Sequence, residues 1–242
     1  MRDIYSDKLT KSIVIIPCYN EAQNIEKLVS LIFEYENNID ILVINDSSED
    51  NTKEIVEKLV KQYENRIFIM NRSGERSFAL SYVEGFKWAL LKKYNFIIQM
   101  DGDFSHHPKY LPVLLRQMNE CDLVIGSRYC KKGAGTKDWE GKRLLFSILA
   151  NFYAKTITGI PVEDITGGFK CFRRSTLEAI DLNHILSKGF AFQIEINQLV
   201  YKAGLKIKEV PIVFVGRKYG KSKFSFEKII EGLLIPIKIR IG

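Results

Sequence analysis

The sequence predicts an α/β fold in which a doubly wound, mostly parallel β-sheet is covered by helices on both faces. Short apolar runs alternate with segments about a dozen residues long that place apolar side chains at helical spacing, which is typical of successive β–α units. Phe96, Ile97 and Ile98 form a run with no alternating polar face, so we expect a central strand buried on both sides. The 242 residues, 46% of them hydrophobic, suffice for one sizeable core.

Strands and helices alternate regularly as far as Arg128. Each predicted strand is a short apolar run that ends in a polar turn, and Asn45–Ser48 is one such turn. The predicted strands are Ser12–Ile16, Ile39–Ile44, Arg66–Met70, the run from Phe96 to the residue before Asp101, and Asp122–Gly126, and the predicted helices are Glu21–Phe33, Thr52–Tyr63 and Phe78–Leu91.

Beyond Arg128 the alternation stops. The segment Lys131–Gly141 is rich in glycine and charge, and the segment Glu163–Gly168 is polar, so we expect two loops. The remaining predicted elements are a helix at Lys142–Ile157 with a basic start, a strand near Phe169–Arg173, helices from Ser175 and over Ala191–Ala203, a strand at Leu205–Val215 and a helix at Phe226–Ile241.

The C-terminal helix is predicted to be amphipathic, which separates residues 226–242 from a domain over residues 1–225. We expect Pro236 to kink or end this helix. The basic side chains spaced along this helix suit contact with an anionic bilayer surface. The alternative is that the helix packs on the domain or on a membrane-spanning partner subunit. The apolar face comprises Ile229, Ile230, Leu233 and Leu234, and the cations are Lys228, Lys238 and Arg240.

The net charge of +7 implies attraction to an anion, which can be a phosphorylated small molecule, an anionic lipid surface or nucleic acid. No recognition helix and no RNA-binding aromatic pattern is evident, so we do not expect a nucleic-acid partner. No apolar run has the length of a spanning helix, and no leader is evident, so we expect a protein that is not integral to a membrane. The four cysteines have no CxxC spacing, which favours a reducing, cytoplasmic compartment.

Polar residues follow all five predicted strands of the first half. Because the carboxyl ends of parallel strands meet at one edge of such a sheet, we expect a ligand site there. The segments concerned are Pro17-Cys18-Tyr19-Asn20-Glu21, Asp46, Gly74-Glu75-Arg76, the pair Asp101 and Asp103, and Ser127-Arg128.

Asp101 and Asp103, with Gly102 between them, are candidate ligands of a divalent cation. Two carboxylates one residue apart suit Mg²⁺ or Mn²⁺, which keeps some water and takes its other ligands from substrate phosphates. A solvated turn is the alternative for this tripeptide alone. His106 and His107 have no cysteine or third histidine nearby, so we interpret them as loop or helix-start residues and not as metal ligands.

Several separate motifs, in this order, resemble the inverting family 2 glycosyltransferases of GT-A fold. Within that family the likeness is greatest to the dolichyl- or polyprenyl-phosphate mannose synthases, and it extends from about Ser12 to Phe226. The motifs are IIPCYNEAQNI, INDSSEDNT, MDGDFSHHP, VIGSRY, DITGGFKCFRR, and FAFQIE followed by EVPIVFVGRKYGKSKF.

The resemblance implies transfer of mannose from GDP-mannose to a polyprenyl (dolichyl) monophosphate, with Mg²⁺ or Mn²⁺, at the cytoplasmic face of a membrane. Transfer of glucose or another sugar from a UDP-sugar to the same kind of lipid is the alternative activity. A non-enzymatic role, as a nucleic-acid binder or a catalytically idle subunit, is the third hypothesis. The presence of Asp101, Asp103, Arg128 and Arg217 argues against an idle subunit.

The resemblance also implies roles for individual residues. Asp103 would be the direct metal ligand, while Asp101 and Gly102 would help to hold the metal and the diphosphate. The positions implied around the guanine and ribose are Pro17, Tyr19, Glu21, Ile44 and Asp46; those implied at phosphate groups are Arg128, Arg217 and Lys223; and Lys142 or Arg143 would meet the lipid phosphate. The chain departs from the family at Asn45, Ser47 and Ser105, where relatives have an acidic residue, a glycine and, in some, a glutamine metal ligand.

The chemistry of the acceptor decides whether a general base is needed. A lipid monophosphate is already ionised at neutral pH, so Arg128 and Arg143 could simply position it. A neutral sugar acceptor would need a carboxylate base. Asp164 is the candidate for that base, and capping of the following turn is the alternative role for its side chain.

Overall fold

The computed structural model describes residues 11–130, 134–139, 141–216 and 226–241. Strands and helices alternate through the first half of the chain. The elements are β1 (Ser12–Cys18), α1 (Ile25–Tyr35), β2 (Asp40–Asp46), α2 (Thr52–Gln62), β3 (Ile67–Arg72), α3 (Phe78–Leu91), β4 (Phe96–Gln99), a 3-10 turn (Pro108–Tyr110), α4 (Leu111–Gln117), β5 (Leu123–Ser127), β6 (Gly135–Lys137), α5 (Gly141–Thr158), β7 (Lys170–Arg173), α6 (Arg174–Glu178), α7 (Phe192–Lys202), β8 (Ile207–Pro211), β9 (Val213–Val215) and α8 (Phe226–Ile241).

The main sheet has seven strands in the order β3-β2-β1-β4-β7-β5-β8. Strand β7 runs antiparallel to both of its neighbours, and the other strand pairs are parallel. The predicted mostly parallel α/β sheet is therefore confirmed. The chain order reverses beside β1, which pairs with β2 on one side and β4 on the other, and this reversal is where a ligand cleft is expected.

The central strands are buried on both faces, as predicted from their continuous apolar sequences. Alternate residues of β1 enter two separate clusters, with Ile13 and Ile15 on the α3 side and Val14 and Ile16 on the α1 side. Helix α3 lies so close to the sheet that a Cβ atom on Gly85 would come within 2.7 Å of Ile15 and Ile44. Gly85 thus permits the close packing that sets the height of α3 above the sheet.

The structure differs from the prediction in the glycine-rich segment after Arg128. Part of that predicted loop is strand β6, which pairs in parallel with β9 to form a small second sheet. The predicted strand Leu205–Val215 divides at Ile212, which donates its N–H to Ser127 and accepts the N–H of Gly135. The pattern could not show this, because a three-residue strand is stabilised by a partner far away in the sequence. Residues 131–133 and 140 of the segment lie outside the described ranges.

Helix α8 has the predicted bounds, but the side chains that it buries are not those of the predicted apolar face. Ile235 and Ile239 are buried in the core, and the helix packs against α5 and α7. Leu233 and Leu234, on the predicted apolar face, are about half exposed. Pro236, which was expected to kink or end the helix, lies within it, so the helix does not end there. Among the described residues, no helix combines the length and apolar character that crossing a bilayer requires.

Candidate active site

A cleft of about 990 Å³ opens at the edge of the sheet where β1 and β2 end. Pro17 lies near the end of β1, Tyr19 follows β1 and Asp46 ends β2, and all three line the cleft. Arg76 forms part of the same wall, and its guanidinium lies 4.1 Å from the centre of the Tyr19 ring. These residues come together because parallel strands deliver their carboxyl ends to one edge.

Asp46 is held in place from two directions. One carboxylate oxygen pairs with Arg72, and the other accepts the backbone N–H of Ser77, at 3.2 Å. The sequence prediction missed Arg72, which lies at the end of β3 directly across from Asp46 in the parallel register. The carboxylate at the floor of the cleft is therefore fixed by an arginine and by the start of α3.

Two other residues expected near the nucleotide are placed differently. Ile44 is fully buried in the core beside Gly85, so its side chain does not reach the cleft. Glu21 is also buried, with a carboxylate oxygen 2.7 Å from the Asn24 amide that donates to it. Its backbone N–H donates to the Thr52 hydroxyl at 2.9 Å, which ties the loop after β1 to the start of α2.

Asp101 and Asp103 lie at the end of β4, next to the end of β1. A Cβ atom on Gly102 would lie 3.2 Å from the Cys18 sulfur and 3.6 Å from Glu21, so this close approach favours glycine. The Asp101 side chain is 26% exposed and accepts a hydrogen bond of 3.1 Å from the Tyr82 hydroxyl. Burial raises the pKa of Tyr82 well above its ordinary value, and the Asp101 charge raises it further, so Tyr82 remains a donor.

Asp103 is only 4% exposed. One of its oxygens accepts the backbone N–H of Ser105 at 3.0 Å. The described part of the chain contains no group of three or more His, Cys, Asp or Glu residues that could hold a metal. Two hard oxygen ligands still fit a cation that takes its remaining ligands from water and from a substrate diphosphate.

His106 supports the carboxylate turn and is buried, at 1% exposure. Its Nδ1 accepts the backbone N–H of Asp101 at 3.2 Å, and its ring stacks on Phe169 with centroids 5.1 Å apart. Burial lowers the pKa of His106 to about 4, so the imidazole is neutral at pH 7. His107 instead accepts the Lys109 N–H at the start of the 3-10 turn.

Arg128 and Asp164 form a buried ion pair beside the site. The guanidinium donates to both carboxylate oxygens at 2.8 and 2.7 Å, and the backbone N–H of Arg128 donates as well. The side chains are 9% and 0% exposed. Burial lowers the pKa of Arg128, but the charge and hydrogen bonds of Asp164 act together with the nearby Tyr129 and Asp101 to raise this pKa above its usual value. This geometry gives Asp164 a structural task in the loop before β7.

The loop that carries Asp164 is held by further side chains that the sequence did not reveal. Glu209 accepts the backbone N–H groups of Glu163 and Asp164 at 2.7 and 2.9 Å. Asn151, on α5, accepts the N–H of Ile165 at 2.9 Å. These partners lie on α5 and β8, so only the tertiary fold brings them to the loop.

Lys170 and Gln193 are the most unusual residues that sequence reasoning missed. Lys170 is fully buried in β7, and its ammonium donates to the backbone and side-chain oxygens of Gln193. Burial lowers the pKa of Lys170. A Cβ atom on Gly168 would lie 3.4 Å from the Gln193 amide nitrogen and 3.7 Å from an Asp101 oxygen. Gln193 therefore lies near the Asp101 carboxylate. A lysine inside the apolar run GFKCF was the available signal.

The remaining predicted phosphate ligands cannot be placed in the site. Lys142 is exposed near the start of α5. Arg143 lies on the same helix, but its side chain is not described. Arg217 and Lys223 lie outside the described ranges.

Comparison with known proteins identifies the family. The model of the family described as "Glycosyl transferase family 2" matches residues 13–181. The chain is 36% identical to polyprenol monophosphomannose synthase of Mycolicibacterium smegmatis, over 92% of this chain and 84% of that protein. It is 34% identical to undecaprenyl-phosphate mannosyltransferase of Micrococcus luteus, over 88% of this chain and 87% of that protein.

Solved structures with the same fold show far lower sequence identity. Glucosyl-3-phosphoglycerate synthase from Mycobacterium tuberculosis, in complex with Mn²⁺, UDP and phosphoglyceric acid, superposes with a TM-score of 0.68 at 13% identity, covering 96% of this chain and 79% of that chain. The same enzyme with Mn²⁺, UDP-glucose and phosphoglyceric acid gives a TM-score of 0.62, covering 95% and 80%. The shared architecture confirms the predicted GT-A fold. The family match and the two curated relatives show that this chain is a glycosyltransferase that belongs to glycosyl transferase family 2.

Proposed function

We propose that this enzyme transfers mannose from GDP-mannose to a polyprenyl monophosphate, giving polyprenyl-phosphate mannose. One observation carries the proposal: two relatives at 34% and 36% identity, matched along most of the chain, both have names that join mannose to a polyprenyl phosphate. The structures of similar fold with UDP-glucose are only 13–14% identical, so they support the architecture and not the choice of UDP.

The cleft suits the donor. Pro17, Tyr19 and Asp46 line it, and they are the residues expected near the nucleotide. Asp101 and Asp103 would hold Mg²⁺ or Mn²⁺, whose charge would stabilise the departing diphosphate. The resemblance assigns Arg217 and Lys223 to the same phosphates. Tyr82 and His106 fix the orientation of Asp101 through the hydrogen bonds to its side chain and backbone.

We expect the acceptor to be an anion, because a neutral acceptor would need a base and the candidate base, Asp164, is already paired with Arg128. Arg128 donates to both oxygens of Asp164, which makes that carboxylate a poor candidate for accepting a proton from a sugar hydroxyl. A phosphate monoester carries its negative charge near neutral pH without help from a base. The lipid phosphate can then attack the anomeric carbon once it is positioned in line.

Helices α5 and α8 suit docking on a lipid bilayer, where such an acceptor resides. The two helices pack on each other, and the Tyr153 hydroxyl donates to the Leu233 carbonyl at 2.8 Å. Lys142 and Lys238 are exposed on them and would meet anionic headgroups. We propose that the enzyme docks on a membrane through these helices, and that the face concerned is the cytoplasmic one, as the cysteine usage favours. The exposed apolar side chains are Leu145, Phe146, Ile148, Leu149 and Phe152 of α5 and Ile230, Leu233, Leu234, Ile237 and Ile241 of α8.

Thermal unfolding with added ligands tests the donor assignment. A ligand that binds only the folded state stabilises it and so raises Tm. At a hundredfold excess over Kd, the free energy of unfolding rises by about 2.7 kcal/mol. We expect GDP with Mn²⁺ to raise Tm more than UDP with Mn²⁺, and an oligonucleotide to have no effect. Stabilisation by UDP alone would favour a UDP-sugar donor, and stabilisation by the oligonucleotide would favour nucleic-acid binding.

A further inference from the structure

We infer that Glu231 of α8 is a positioning residue of the donor cleft, so that the C-terminal helix forms part of the nucleotide site. The inference rests on the proposed function, because it takes the cleft beside Asp46 as the binding site of a nucleoside diphosphate. It goes beyond that function by giving α8 a task in donor binding besides its contact with a bilayer.

Four consecutive backbone N–H groups, those of residues 186–189, all donate to glutamate carboxylates. Glu195 of α7 accepts the N–H groups of Leu186 and Ser187, at 2.7 and 2.9 Å. Glu231 accepts those of Lys188 and Gly189, at 2.6 and 2.9 Å. We call residues 186–189 the clamped segment. Because bonds from N–H groups to a carboxylate are charge-assisted, the two glutamates together fix the path of this segment.

The clamped segment in turn contacts the start of α3. The carbonyl oxygen of Lys188 accepts the Ser77 hydroxyl at 3.0 Å and the Ala79 N–H at 3.2 Å. The backbone N–H of Ser77 donates to Asp46, the carboxylate at the floor of the cleft. A continuous series of hydrogen bonds therefore joins Glu231 to Asp46 through the clamped segment and Ser77.

Glu231 also belongs to the cleft by position. It lines the same space as Pro17, Tyr19 and Asp46, together with Lys188 and Lys238. The ends of β1 and β2 thus supply part of the cleft lining, and the clamped segment and α8 supply another part. Loss of the Glu231 carboxylate would leave two N–H groups without their acceptor and the segment with Glu195 as its single carboxylate anchor.

A purely structural role predicts a different result from a positioning role. If Glu231 only attached α8 to the domain, its removal would lower Tm and leave the affinity of the folded protein for nucleotide unchanged. If Glu231 positions the cleft wall, nucleotide affinity falls even where the protein stays folded. The fall should be partial, because Glu195 still holds the other half of the segment.

The test uses the full chain and measures GDP binding by calorimetry in the presence of Mn²⁺, with Tm measured alongside. We expect Glu231→Ala to weaken GDP binding about tenfold, which is about 1.4 kcal/mol. Glu231→Gln, which keeps one acceptor oxygen, should fall between Glu231→Ala and the wild type. The matched control is Glu120→Ala, which removes a carboxylate paired with Lys208 at 2.6 Å on an exposed loop, and it should bind GDP as the wild type does.

The outcomes separate this inference from the function on which it rests. If wild-type protein binds GDP and folded Glu231→Ala binds it within twofold, the inference is overturned while the proposed donor stands. A lower Tm with unchanged GDP affinity has the same meaning. If wild-type protein binds no GDP, the proposed donor fails and the inference fails with it. Should Glu231→Ala not fold, Glu231→Gln decides, and wild-type affinity in that variant overturns the inference.

Discussion

Replacing Asp164 by alanine should destabilise the protein strongly, because it leaves the Arg128 guanidinium buried without its carboxylate. The two side chains are 9% and 0% exposed and share two hydrogen bonds shorter than 3 Å. Breaking a buried pair from one side costs about 3–5 kcal/mol. For a chain of this size each kcal/mol corresponds to about 2–4 °C, so we expect Tm to fall by about 10 °C.

Thermal and urea unfolding followed by circular dichroism measure this change. The control is Asp181→Ala, which removes a carboxylate from an exposed pair with His184 and should unfold at nearly the wild-type temperature. If Asp164→Ala unfolds at the same temperature as the control, the ion pair does not stabilise the loop. If that folded variant also loses transfer by about a thousandfold, Asp164 acts in the chemistry, in keeping with its prediction as the candidate base.

Three further predictions address the metal, the packing of α3 and the bilayer. Asp103→Asn should reduce kcat/KM by about 10³-fold in a transfer assay, because charge that would hold the metal is lost, while circular dichroism shows an intact fold. Gly85→Ala should lower stability in urea by about 1–3 kcal/mol, because a Cβ 2.7 Å from Ile15 and Ile44 overpacks the core and outweighs the helix preference of about 1 kcal/mol for alanine. Phe152→Glu, at a side chain 67% exposed on α5, should reduce co-sedimentation with anionic vesicles and leave GDP binding unchanged.

Each of these predictions has an outcome that contradicts it. Near wild-type turnover by Asp103→Asn would remove this residue from the metal site. A stability gain from Gly85→Ala would show that α3 can move away from the sheet at little cost. Equal vesicle binding by Phe152→Glu and wild type would mean that α5 does not meet the bilayer. Leu91→Glu, which puts the same charge on an exposed apolar residue of α3, controls for net charge.

The sequence predicted the parts of the fold that depend on local pattern. The continuous apolar run at Phe96 identified a central strand, and the strand-end rule brought Tyr19, Asp46 and Asp101 to one edge. The strand near Phe169–Arg173 was predicted, but the antiparallel direction of this strand, β7, and the small sheet of β6 and β9 were beyond such reasoning. Their strands are three or four residues long, and their pairing depends on contacts between residues far apart in the chain.

The site was predicted in type better than in detail. A motif can place Arg128 and Asp164 near a ligand, but only the fold shows that they bond to each other across 36 positions of sequence. The same holds for Glu231, whose acceptor role depends on a segment 42 residues away. Carboxylates that cap distant backbone N–H groups leave no spacing pattern, so sequence periodicity cannot reveal them.

The most direct test of the proposed function is a transfer assay with purified full-length protein. Radiolabelled GDP-mannose and undecaprenyl phosphate are incubated with Mn²⁺ and detergent, and the labelled lipid is extracted and counted, with radiolabelled UDP-glucose in a parallel reaction. We predict labelled lipid from GDP-mannose, little from UDP-glucose, and almost none from either donor with Asp103→Asn. Labelled lipid from UDP-glucose alone, or none from GDP-mannose while wild-type protein binds GDP, would contradict the proposal that this enzyme mannosylates a polyprenyl phosphate.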